Sequence, residues 1–79
     1  MVRMPTGTVS TPTTALGARL RELRTAAGLS QKTLADALDT QANRISDWEI
    51  GNHVPTLPLL ERIAAVHEIT VAALLDGVM

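Results

Sequence analysis

Residues Gln31–Ile50, QKTLADALDTQANRISDWEI, decide the fold. Ser30 stands just ahead of an apolar-periodic run, where its hydroxyl can accept a hydrogen bond from an unpaired N–H at a helix start. Leu34, Ala35 and Leu38 fall at i, i+1 and i+4, which is one face of a short helix over Gln31–Leu38. Asp39-Thr40 interrupts the pattern. A second short helix is expected over Gln41–Ile50, with Ile45 and Trp48 three apart on its inner face. Steps of about 100° per residue from that face turn Asn43, Ser46, Asp47 and Ile50 outward. They leave Arg44 at the border and aim Gln41 and Glu49 inward or sideways. Two short helices joined by a tight turn make a helix-turn-helix, a unit whose second helix suits the DNA major groove.

Upstream, Leu16, Leu20, Leu23 and Ala27 repeat at the helical period and predict a buried stripe on a helix over Ala15–Ala27. Thr13 or Thr14 would cap its start, and Gly28 would end it in left-handed geometry. Arg19, Arg21, Glu22 and Arg24 cover its other sides. Residues 1–13, MVRMPTGTVSTPT, lack periodicity and read as a disordered arm. Arg3 would allow that arm to enter a minor groove, against the plainer reading of a passive tail.

Downstream, Gly51-Asn52-His53-Val54-Pro55 is a loop by composition. Thr56 is the expected cap of a fourth helix that tolerates Pro58 in its first turn. Leu59, Leu60, Ile63 and Ala64 form its buried side, with Val66 or His67 at the edge. Thr70 caps a last helix over Val71–Asp76, with Gly77 as its stop. Five helices thus account for one all-α domain over residues 14–79.

Composition agrees. The 79 residues are 46% apolar, drawn from Leu, Ala, Ile and Val, with one Trp and no Phe or Tyr. That choice favours packed helices over a sheet. No cysteine is present, so a disulfide framework and a thiolate zinc site are both excluded. No apolar run reaches the roughly 18 residues of a membrane span, and the start lacks the apolar core of a signal peptide. A cytoplasmic location is therefore expected. Seven Lys and Arg against eight Asp and Glu give a net charge of −1, whereas DNA-binding domains are usually basic. Residues 1–30 carry Arg3, Arg19, Arg21 and Arg24 against Glu22. Residues 31–54 carry only Lys32 and Arg44 against Asp36, Asp39, Asp47 and Glu49.

The run LRELRTAAGLSQKTLADAL, then ISDWEIGNHVPTLPLLERIA and the closing LLDG, resembles the lambda repressor/Cro-like, or XRE-type, helix-turn-helix family. The likeness covers almost everything after residue 15. It rests on several separate features: the GLSQ entry, Ala35, Ile45, Trp48-Glu49, the Gly51 to Pro55 exit and the LL-x-G end. It implies a compact five-helix domain and a transcription regulator, a repressor by preference, that binds double-stranded operator DNA as a two-fold homodimer. By the same likeness Ala42, Asn43 and Asp47, with Arg44 and Ser46 beside them, match base readers. Asn43 suits adenine N6/N7, and Ala42 suits a thymine methyl. Asp47 either accepts from cytosine N4, repels wrong sites, or is a solvated carboxylate that weakens binding.

Gln31 matches a phosphate-contacting glutamine, with Lys32, Gln41, Asn52 and His53 as further phosphate candidates. Arg24 and Glu49 match an internal salt bridge. Val71, Leu75 and Val78 fall where the family places its dimer contact. Two positions depart from the family pattern, because Asp39 and Glu68 each replace a glycine. No cofactor, metal or catalytic constellation is expected, since no nucleophile with a base, phosphate loop or metal-spaced histidine cluster appears. The acidic balance and Asp47 leave a second reading open: an antitoxin or protein-interaction module on the same fold, with a protein partner and weak or no operator binding.

Overall fold

Five helices and no strand make up the described residues, 12–76 and 78, in a computed structural model of the chain. They are α1 (Pro12–Ala26), α2 (Gln31–Ala37), α3 (Ala42–Ile50), α4 (Leu57–Val66) and α5 (Val71–Leu74). Ser30 Oγ accepts the Thr33 N–H at 3.0 Å, and Thr70 Oγ1 accepts that of Ala73 at 3.0 Å. Both caps satisfy helix-start donors that no backbone carbonyl can reach. Thr56 holds the N-cap position of α4 in extended geometry, but its side chain makes no cap bond. Pro58 in the first turn lacks an N–H, so one donor fewer needs a partner there.

The first four helices end in one way. Gly28 (φ 73°), Asp39 (φ 57°), Gly51 (φ 84°) and Glu68 (φ 58°) are all left-handed. After each, the next N–H reaches back five residues: Leu29 to Arg24 O, Thr40 to Ala35 O, Asn52 to Asp47 O and Ile69 to Ala64 O, at 2.9–3.1 Å. This closure satisfies orphan carbonyls and turns the chain sharply. Asp39 and Glu68 bear a Cβ where glycine costs nothing, and left-handed geometry costs an ordinary residue about 1–2 kcal/mol. Some of that returns as glycine's extra freedom in the unfolded chain. Glu68→Gly is therefore expected to stabilise the domain by about 0.5–1 kcal/mol, and Asp39→Gly by less, because Asp tolerates this region better. Urea midpoints at a common m value measure both.

Several sequence expectations shift. α1 begins at Pro12, so Thr13 and Thr14 lie inside it rather than at its cap. Proline suits a first turn, where the N–H would go unpaired. Ala27 is exposed, not part of the buried stripe, because α1 has already ended and the chain is turning toward Gly28. Gln41 is extended and exposed at the N-cap of α3, which starts one residue later than expected. α5 stops at Leu74 and leaves Leu75 and Asp76 in a turn. The proposed arm up to residue 11, with Arg3, and the stop at Gly77 lie outside the described residues.

α1 and α2 pack on α3, while α4 packs on α5. Leu38, Ile45, Ile63 and Leu74 are almost completely buried and join α2, α3, α4 and α5 in one core, with Leu16, Leu20 and Trp48 beside them. Gly17 is buried where α1 meets the end of α3; a Cβ there would lie 2.5 Å from Trp48 O and 2.6 Å from Glu49 O. Arg19 ties α1 to α5: its Nε donates to Leu74 O at 3.1 Å and Nη2 to Ala73 O at 3.0 Å. Among the described residues, no helix is long and apolar enough to cross a membrane.

His67 closes α4 half-buried, and its Nε2 is buried with no hydrogen-bond partner. Burial lowers its pKa from the ordinary histidine value. The unfolded chain therefore binds this proton more readily than the folded one. The associated stability is fully present above the unfolded value of about 6.5 and is lost as pH falls through the lower folded value. His67→Leu should flatten that decline as pH falls below about 6.5, as followed by thermal melts.

Candidate nucleic-acid interface

Burial of Ile45 and Trp48 fixes which side of α3 faces outward. Asn43 and Arg44 are exposed, while Ala42, Ser46 and Asp47 are half-exposed. The five proposed base readers thus share one short accessible surface. Ile50 continues it and is 62% exposed. Gln41 is exposed one residue ahead of α3, and Asn52 and His53 are exposed in the turn after it. The backbone N–H groups of Asn52 and His53 both reach Asp47 O, at 2.9 and 3.4 Å. The turn is therefore folded back on α3. His53 Nδ1 lies 3.5 Å from Asp47 Oδ2, which sets a histidine beside the one carboxylate on the outward face. An open groove of about 440 Å³ runs alongside, lined in part by Arg44, Asp47, His53 and Thr56.

On α2, Lys32 is highly exposed and pairs with Asp36 at 3.1 Å. An exposed i,i+4 pair of this kind contributes only a few tenths of a kcal/mol, so the lysine is readily released to another anion. Gln31 is different. It is half-buried, and its Nε2 donates to Glu49 Oε1 at 3.1 Å.

Glu49 itself lies at the centre of a buried knot. Arg24 Nε donates to Glu49 Oε2 at 2.6 Å and Nη2 to Oε1 at 3.2 Å, a two-pronged pair with side chains 12% and 4% exposed. Arg24 Nη1 donates to Leu29 O at 2.8 Å in the α1–α2 linker. Hydrogen bonding to Glu49 raises the Arg24 pKa, although burial works against it. The salt bridge that the family likeness implies is thus present. The Gln31 bond to the same carboxylate is an addition that spacing along the sequence does not reveal.

Val71, Leu75 and Val78 are half-buried and pack against the core. Among the described residues the large exposed apolar side chains stand elsewhere, at Ile50, Val54 and Leu57 around the α3–α4 corner. Their positions could be anticipated only for Ile50, which helical phase turns outward; Val54 and Leu57 belong to a loop and a helix start that carry no phase.

The helix-turn-helix domain family matches residues 15–76. The HTH-type transcriptional regulator DdrOP3 of Deinococcus deserti is 43% identical over 60 residues, covering 76% of this chain and 46% of that protein. The chain spans less than half the length of the curated relatives it matches. Those relatives are named as transcriptional regulators and not as enzymes. Among solved structures, the clp gene regulator ClgR of Corynebacterium glutamicum superposes with a TM-score of 0.82 at 28% identity, over 87% of this chain and 73% of that one. The restriction-modification controller protein C.AhdI of Aeromonas hydrophila gives 0.74 at 35% identity, over 78% of this chain and 94% of that one. Buried scaffold, outward α3 face and matched span agree, and the chain belongs to the helix-turn-helix family, of the lambda repressor/Cro-like, XRE type.

Proposed function

We propose that the chain binds operator DNA sequence-specifically as a two-fold dimer, with α3 in the major groove, and acts as a repressor. The observation that carries this reading is the division of α3. Ile45 and Trp48 are locked into the core, while Asn43, Arg44, Ser46 and Asp47 present polar groups on one accessible face. A rigid helix with a polar outer face matches the width of a major groove and its donor and acceptor edges. Gln31, Lys32, Gln41, Asn52 and His53 flank that face and supply phosphate contacts. Two such faces about 34 Å apart fit successive grooves of one duplex side. The dimer contact is assigned to Val71, Leu75 and Val78.

A gel shift or footprint on the upstream region of the chain's own gene, across a salt series, tests the reading. A specific complex that weakens with salt is expected, and no specific complex at low salt would sink it. Asn43→Ala is expected to cost about 1–3 kcal/mol of binding, roughly 5- to 150-fold, and to relax preference at one adenine. A selection from random DNA with both proteins reads that relaxation directly.

A second reading, a protein-interaction module or antitoxin, draws on the charge distribution. Residues 31–54 hold four carboxylates against Lys32 and Arg44. A single stoichiometric protein partner together with absent DNA binding favours it.

A further inference from the structure

We propose that Glu49 is a positioning residue for DNA docking: it fixes the Gln31 amide on α2 against the last turn of α3, so that phosphate contact and base-reading face meet the duplex in one register. The inference rests on the reading of α3 as the DNA-facing helix. Glu49 is 4% exposed at its side chain and accepts from Arg24 Nε, Arg24 Nη2 and Gln31 Nε2. One carboxylate therefore joins α1, the start of α2 and the end of α3, while Arg24 Nη1 adds the linker through Leu29 O.

A carboxylate only accepts, so it dictates which end of the Gln31 amide faces it: the NH2 and not the carbonyl. One N–H of that group is committed to Glu49, and the second remains to meet a phosphate oxygen. A free glutamine on a helix surface would sample many rotamers and lose that freedom on binding; one already held loses less. The other ion pairs among the described residues, Arg19–Glu22, Lys32–Asp36 and His53–Asp47, each include an exposed side chain and offer no comparable rigidity. Stability alone is a weak reason for the buried pair, since well-packed apolar residues of similar volume often serve a core as well or better. Held geometry is what an apolar replacement cannot supply.

A two-part experiment separates these roles. The first part needs no DNA: the Gln31 side-chain amide is followed by NMR in the free protein. Slow solvent exchange and a shifted, well-resolved NH2 pair are expected, and a freely exchanging amide overturns the proposal. The second part measures affinity for a site selected from random DNA by the unmodified chain. Gln31→Ala should weaken binding about tenfold, the value of one well-made hydrogen bond. In an Arg24→Met/Glu49→Met background whose melting temperature is preserved, binding should already be weakened, and Gln31→Ala should then add less than about twofold. Equal losses in both backgrounds mean that Gln31 acts without Glu49 and overturn the proposal. Where the double Met variant does not fold, a Gln31→Ala protein that binds as tightly as the parent overturns it equally. A parent chain that selects no DNA removes the DNA reading and the docking role with it, whereas a held amide in the first part identifies the failure as that of the reading and not of the geometry.

Discussion

Glu49→Ala is expected to destabilise the domain by about 3–5 kcal/mol, the loss seen when one partner of a buried ion pair is removed. A chain of 79 residues has a total stability of only about 4–12 kcal/mol, so this single truncation consumes much of it. The reason lies in what remains. Arg24 keeps its charge on a side chain that is only 12% exposed in the intact protein, with the Leu29 carbonyl at Nη1 as its remaining partner. A buried lysine or histidine in that position would shed its proton, but arginine cannot. The charge must stay or the segment must open. Gln31 also loses its acceptor, and a half-buried amide is left to find water. Glu49→Gln should fall between, since its carbonyl still accepts one bond. Arg24→Met/Glu49→Met should recover most of the loss, because no orphan charge remains. Urea unfolding at a common m value ranks the four proteins. A loss below about 1 kcal/mol for Glu49→Ala would show that Arg24 swings to solvent, and the buried-pair argument fails.

Much of what depended on periodicity or on a local cap could be read along the chain, although the cap at Thr13 or Thr14 and the burial of Ala27 were not among it. Ser30 and Thr70 announce their helices through bonds three residues long, and Ile45 with Trp48 fixes the phase of α3 and hence its outward side. The left-handed positions at Gly28 and Gly51 follow from composition. Those at Asp39 and Glu68 emerge only because a helical run stops there and an acceptable family position is occupied by another residue. What stayed hidden is the set of contacts between elements distant in sequence. Arg19 looks like any polar residue on the solvent side of α1, yet it closes the end of α5 54 and 55 residues away. Gln31 has the pattern of a helix-start residue, and nothing in its neighbours points to a carboxylate 18 positions later. The ends of short helices were also beyond reach. A four-residue α5 has too few turns to declare its phase, so the half-burial of Val71 and Leu75 against the core could not be read along the chain. The expectations for individual DNA contacts rest on chemistry that an accessible surface permits, and the proposed selections are what decide them.

Gly17→Ala is expected to destabilise the domain by about 2 kcal/mol or more, although alanine is the better helix former. In an open helix interior this exchange gains about 1 kcal/mol. Position 17 differs because a Cβ there meets Trp48 O at 2.5 Å, Glu49 O at 2.6 Å and Glu49 C at 2.9 Å, all of them backbone atoms. Backbone in the last turn of α3 cannot rotate aside as a long side chain would, so one helix must move. Overpacking a close crossing typically costs 1–3 kcal/mol, occasionally more, and here the shift also displaces Glu49 from Arg24 and Gln31. A melting temperature lower by roughly 10 °C is the expected reading for a domain of this size. Gly28→Ala provides the contrast: nothing lies within 4 Å of a Cβ at Gly28, yet φ is 73°, so its loss comes from backbone strain alone, about 1–2 kcal/mol. The two variants should then separate by NMR. Gly17→Ala moves the resonances of Trp48, Glu49 and the Gln31 amide, whereas Gly28→Ala leaves them in place. If Gly17→Ala is neutral or stabilising, α1 and α3 are not in the tight contact described, and the last turn of α3 has slack that would let the reading helix adjust on DNA.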